Sequence, residues 1–152
     1  MGKKILMGIG IIFLSGVSGY FIFAETGEIR KRFKKGVEYT NQEKYDKAIL
    51  EFTQIITDDK DYASAYLALG IVYINKKMEK EAVMLLEKAI ELAPDNKKAY
   101  FILARLHEKL EKDKKAVQIW EKYLTLKPDG RTAKIAKKHL KRLNEKNKVK
   151  IK

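Results

Sequence analysis

The 152-residue chain has no cysteine, only two prolines (Pro94 and Pro128) and nine glycines. Without cysteine there are no disulfides, no thiolate metal sites and no thiol nucleophile. This leaves the compartment open. So few prolines and glycines argue against an all-β fold, which needs frequent chain reversals. The chain also lacks a Ser-His-Asp constellation, a glycine-rich phosphate loop and an EF-hand loop. Gly8-Ile9-Gly10 lies inside an apolar run and has no bearing on nucleotides. What is abundant is Ala, Leu, Ile, Lys and Glu, a composition that favours helix.

The net charge of +13 is unevenly spread. Residues 37–130 carry 16 basic and 17 acidic side chains, whereas residues 131–152 carry ten basic ones against Glu145 alone. The N-terminal "MGKK" precedes Ile5–Ala24, 20 residues without a charge. About 20 apolar residues span the hydrocarbon core of a bilayer. The predicted arrangement is a retained single-pass anchor at 1–24, with Tyr20, Phe21 and Phe23 at an interface. A cleaved leader is the alternative. Its apolar core would be shorter and would end in a small-x-small site, and here only Ala24 suits that pattern, with Ile22 a poor partner. Ser15 and Gly19 form a small-xxx-small pair, read as ordinary small residues before a helix-pairing face. Arg30, Lys31, Arg32, Lys34 and Lys35 outnumber Lys3, Lys4 and the amino terminus, which tilts orientation toward a cytoplasmic C-terminal domain.

Beyond a juxtamembrane linker at 25–28, with a break expected at Thr26-Gly27, the chain repeats itself. Tyr66, Leu69, Gly70 and Tyr73 are followed by Ala82, Leu86, Ala89 and Pro94. Thirty-four residues later stand Tyr100, Leu103, Ala104 and His107, then Ala116, Trp120, Tyr123 and Pro128. Thirty-four residues earlier stand Arg32, Lys35, Gly36 and Tyr39, then Ala48, Phe52, Ile55 and Lys60. The units are 29–62, 63–96 and 97–130. Tyr66, Leu69, Gly70 and Tyr73 share one helix face, at i, i+3, i+4 and i+7, and Ala82, Leu85, Leu86, Ala89 and Ile90 share another. "NKKMEK" between them is a polar turn. A mid-helix glycine costs about 1 kcal/mol, and close helix packing at Gly70 and Ala82 offsets it. Asp95 and Asp129 are placed to cap the helices that follow. Residues 131–146 read as a basic capping helix with an apolar stripe of Ala133, Ala136, Leu140 and Leu143, and 147–152 as a frayed tail.

The period and pattern resemble the tetratricopeptide repeat family, W-x2-L-G-x2-Y, then A-x3-F, then P. The resemblance covers 29–130, and Arg32, Lys35 and Lys60 depart from it. It implies an all-α, right-handed superhelical stack of three helix-turn-helix units plus a capping helix, preceded here by the anchor. It also implies a binding role, and the lack of catalytic motifs leads to the expectation of no enzyme activity and no cofactor. In the family the second, fifth, ninth and twelfth positions of each unit tend to line a concave groove. Here these are Arg30, Phe33, Val37 and Thr40; Ser64, Leu67, Ile71 and Ile74; Lys98, Phe101, Arg105 and Glu108. Such a strip would take a protein or peptide with apolar anchors and acidic flanks. The family's clamp for chaperone C-termini uses a lysine and an asparagine where this chain has Phe33 and Val37, so chaperone-tail binding is not expected.

"HEKLE" at 107–111 approaches a zinc-binding helix, but Glu111 replaces the second histidine that such a site needs. His107 also occupies the position of Tyr39 and Tyr73, which makes it a packing residue. His139 is expected on the surface of the capping helix. The basic tail has three readings: solvation of the stack's end, contact with anionic lipid and contact with nucleic acid. Nucleic acid ranks last, since residues 131–152 hold no aromatic to stack on a base. The overall expectation is a membrane-anchored scaffold, bacterial in architecture. The alternative is a periplasmic or secreted repeat protein with a cleaved leader, acting in envelope assembly.

Overall fold

The computed structural model describes residues 18–150, with side chains over 27–149. The apolar run at 5–24 therefore lies outside the described residues, except for the helical backbone of 18–24. Among the described residues no helix is long and apolar enough to cross a membrane.

Seven helices and no strand make up the described residues: α1 (Ser18–Asn41), α2 (Tyr45–Asp58), α3 (Ala63–Asn75), α4 (Glu79–Leu92), α5 (Lys97–Lys109), α6 (Asp113–Thr125) and α7 (Gly130–Lys150). Each packs on the next in chain order. The result is three antiparallel pairs and a closing helix, the all-α stack that the period implied.

The pairs depend on a small residue facing a large one. A Cβ on Gly36 would lie 2.7 Å from the Phe52 ring, and one on Gly70 would lie 3.1 Å from Leu86. The third unit has Ala104 there, in one buried cluster with Trp120. Three apolar clusters run along the stack, around Phe52 and Ile55, around Leu86 and Leu103, and around Trp120 and Tyr123. Each draws residues from successive units, so no pair buries its apolar surface alone.

The turn inside each unit is the same device three times. Glu43, Lys77 and Glu111 have φ of 58°, 60° and 54°. The amides that follow them, Lys44, Met78 and Lys112, each donate at 2.9 Å to the carbonyls of Tyr39, Tyr73 and His107. This closes the helix with a left-handed residue, although none of the three is glycine.

Several boundaries differ from expectation. α1 does not begin at Ile29 or break at Thr26-Gly27. One glycine costs only about 1 kcal/mol in a helix, and the turn beyond it is held by Glu28, whose carboxylate lies 3.3 Å from Arg32. α7 does not fray at residue 147. No proline or glycine follows Gly130, and Lys146 is tied to Asp113 on α6 at 2.9 Å. The cap of α5 is Asn96, which accepts from the Ala99 amide at 3.1 Å; Asp95 falls one residue too early. Asp129 does cap α7, accepting from the Arg131 and Thr132 amides.

The charged departures of the first unit are matched. Arg32 and Lys35 stand where later units have Tyr66/Leu69 and Tyr100/Leu103, and they face Glu51, where later units have Leu85 and Ile119. Glu51 is 7% exposed, with Lys35 at 2.7 Å and Arg32 at 3.6 Å. An apolar contact has become an ionic one in the same register.

Two outcomes test this packing. Gly36→Ala should lower stability, because the buried Phe52 ring cannot retreat and overpacking costs about 1–3 kcal/mol. Gly70→Ala should cost less, since its Cβ would meet Leu86 at 3.1 Å instead of 2.7 Å and the helix gains propensity, whereas Gly70→Leu should unfold the second unit. Denaturant melts that rank the two alanine variants equally would contradict the difference in approach. At the turn, Lys77→Val should cost about 1–2 kcal/mol, the penalty for a left-handed residue with a bulky Cβ, and Lys77→Gly should cost nothing. Thermal melts of the pair decide it.

Candidate partner-binding face

The first helices of the units, α1, α3 and α5, carry the twelve residues expected along the groove, and the structure sorts them by depth. Arg30, Val37, Ser64, Lys98 and Arg105 are exposed, and Thr40, Ile71 and Ile74 are half-buried. The Thr40 hydroxyl donates to the Gly36 carbonyl at 2.8 Å. Between α3 and α5, Ile74, Phe101, Ile102 and Leu106 line an open cleft of about 450 Å³, with Arg105 and Lys109 at its edge. Lys109 is engaged by Glu79 at 2.9 Å. Arg105 has no ion pair among the described residues and is the cation the cleft can offer to a ligand.

The fifth positions are deeper than the pattern suggested. Leu67 is 9% exposed and belongs to the core with Leu86 and Leu103, so it is not a groove residue. Phe33 packs on Phe52 and Tyr62 at ring separations of 5.5 and 6.0 Å. Phe101 meets Trp120 and Tyr123 edge-on at 5.1 and 5.6 Å, yet still shows one side to the cleft. The cause is the same in all three units: a fifth-position side chain leans over the large residue that faces the small one.

Glu108 is also not free for a ligand. Its carboxylate accepts from Trp120 Nε1 at 2.6 Å, lies 2.8 Å from His139 Nδ1 and pairs with Arg142. Burial alone would lift its pKa. Hydrogen bonds from His139 and Trp120, with the charges of His139 and Arg142, outweigh burial and hold the carboxyl below its usual range. His139 is therefore not a surface residue. Its ring lies 5.2 Å from that of Trp120, because α7 brings it against the end of α5. The apolar stripe of α7 packs as expected, with Ala136 and Leu143 buried and Leu140 against the same cluster.

His107 is 1% exposed, and its Nδ1 has no hydrogen-bond partner. Burial, then the charges of Lys115 and Lys112, push its pKa below the ordinary histidine value, with Glu87 opposing. Among the described residues no three potential ligands gather into a metal site.

This geometry can be set beside that of known proteins. Tetratricopeptide repeat family models match residues 63–96 and 85–118. The stack is of the tetratricopeptide repeat type. The tetratricopeptide domain of Arabidopsis OM64 superposes with a TM-score of 0.70 at 24% identity, over 78% of this chain and 98% of that one. The second such domain of human RPAP3, solved in complex with the HSP70 peptide SGPTIEEVD, gives 0.69 at 23% identity, over 79% and 98%. MamA gives 0.65 at 22% identity, over 88% and 86%. No curated protein matches the chain in sequence. At these identities the likeness is one of fold.

A pH dependence follows from the buried imidazole. Because the folded state lowers the pKa of His107, the unfolded chain takes up that proton first as pH falls. The contribution of the neutral ring is complete above the ordinary histidine value near 6.5 and is lost as pH drops through the lower folded value. Wild type should therefore lose stability between pH 7 and pH 5 relative to His107→Phe. Denaturant melts in which the two proteins differ equally at both pH values would contradict this.

Proposed function

We propose that this tetratricopeptide stack is a membrane-tethered adaptor that holds an extended or helical peptide against α3 and α5. The observation that carries the reading is the cleft of Ile74, Phe101, Ile102 and Leu106 with Arg105 at its rim. An apolar side chain would seat between the two helices, and a carboxylate one or two residues away would meet Arg105. The charge-free run at 5–24 supports the tether, and the excess of Lys and Arg at 30–35 supports a cytoplasmic stack.

The ligand differs in kind from an EEVD chaperone tail. Where the family's clamp needs a lysine and an asparagine, this chain has Phe33, packed on two rings, and Val37, 38% exposed. The recognised acid lies beside an apolar anchor instead of at a chain terminus.

A peptide library probed with the full chain in uncharged detergent tests the groove. Selected sequences should pair a large apolar residue with a nearby Asp or Glu. Phe101→Ala with Arg105→Ala should weaken them by about tenfold or more, a loss of about 1.4 kcal/mol, and SGPTIEEVD should bind no better than a random peptide. Selection of terminal carboxylates would overturn the reading. For the tether, the full chain should stay with membranes through an alkaline carbonate wash, and a variant lacking residues 5–24 should be released.

A further inference from the structure

α7 occupies the place of a first helix in a fourth unit. Lys134, Lys137, Lys138 and Lys141 lie 34 residues after Tyr100, Leu103, Ala104 and His107. In the complete units this face receives the unit's own second helix, with Gly36 against Phe52 and Gly70 against Leu86. On α7 the four lysines are exposed. With Arg131 and Ile135 they form one open face of α7. None of the four makes an ion pair or side-chain hydrogen bond among the described residues.

The first unit shows what such a face accepts. Counting three periods back, Lys134 and Lys137 correspond to Arg32 and Lys35, which hold Glu51 of α2. Lys138 corresponds to Gly36, which faces Phe52. Lys141 corresponds to Tyr39, which packs in the cluster of Ala48. A helix laid on α7 in the same register would meet cations at the places of residues 48, 51 and 52. A large apolar residue at the place of Phe52 would collide with Lys138, whereas a carboxylate there would pair with it.

We propose that α7 docks an acidic helix of a partner protein, with carboxylates at i, i+3 and i+4 and small or aliphatic residues beside them to cover Ile135 and the lysine stems. Charge complementarity selects this occupant over the others. A second copy of the chain would bring the outer flank of its α1, with exposed Lys31 and Lys34, or its α2, whose one acid in register is already taken by Arg32 and Lys35. Nucleic acid would find no aromatic to stack on beside the lysines. A bilayer would be indifferent to the spacing of charges on a bound helix, whereas this face imposes one.

This surface is separate from the cleft between α3 and α5, and the test keeps them apart. The probe is a fluorescent alanine-rich helical peptide with glutamates at i, i+3 and i+4. Its control is an isomer with the same glutamates spread around the helix. With the full chain in uncharged detergent, the in-register peptide should bind about tenfold tighter than its isomer. Lys137→Glu with Lys138→Glu should abolish the difference while leaving helicity unchanged, and Phe101→Ala with Arg105→Ala should leave it intact. Equal binding of the two peptides, or indifference to the charge reversal, overturns the proposal. So does stronger binding to phosphatidylserine vesicles or duplex DNA than to the in-register peptide, lost in the same lysine variant, which would assign the face to a bilayer or to nucleic acid.

Discussion

The contact between a small residue on the first helix of each unit and a large one on the second governs the rest of the molecule. Gly36 under Phe52 and Gly70 under Leu86 set how closely the helices approach, and Ala104 with Trp120 holds the same positions in the third unit. That approach fixes where the fifth-position side chains fall. Phe33, Leu67 and Phe101 lean over the large partner, and the cleft between α3 and α5 is the space that remains once they have packed. A surface cleft on such a fold is what core packing leaves over, and its depth is decided from behind.

Charge ends the stack at both extremes. The positions that later units bury against a predecessor, Ala65, Val72, Ala99 and Leu106, are Lys31, Glu38, Ala133 and Leu140 in α1 and α7. Among the described residues no helix packs on this face of α1, and it is charged there, whereas α7 packs back on the third unit and is apolar. The opposite face of α7, where a second helix would lie, is charged in its turn. Between the ends, each step is crossed by an ion pair: Asp46–Lys76, Glu79–Lys109 and Asp113–Lys146. Singly such pairs contribute little. Repeated at each step, they favour the correct stagger of one unit on the next.

The period was legible because it is a backbone property. Small, large and turn residues recur at fixed intervals, and a 34-residue shift exposes them whatever the partner. Depth was less legible. A position in the repeat tells which way a side chain points, but burial depends on residues one unit away. Leu67 therefore read as groove and proved to be core, and Glu108 read as available and proved to be held by Trp120, His139 and Arg142. His139 read as surface because the fourth-unit register of α7 was hidden: lysines stand where the pattern has apolar residues. The Asn96 cap was missed by one position, as helix starts often are.

α1 passes through Gly27 without a joint, so whatever lies on either side of that glycine is keyed by angle as well as by distance. An α-helix turns about 100° and advances about 1.5 Å per residue. A single residue gained or lost ahead of Ile29 would swing the whole stack by more than a quarter of a circle while barely changing its reach. Which way the cleft between α3 and α5 looks is thus written in whole residues along α1, as the bitting of a key is cut at set positions along its blade.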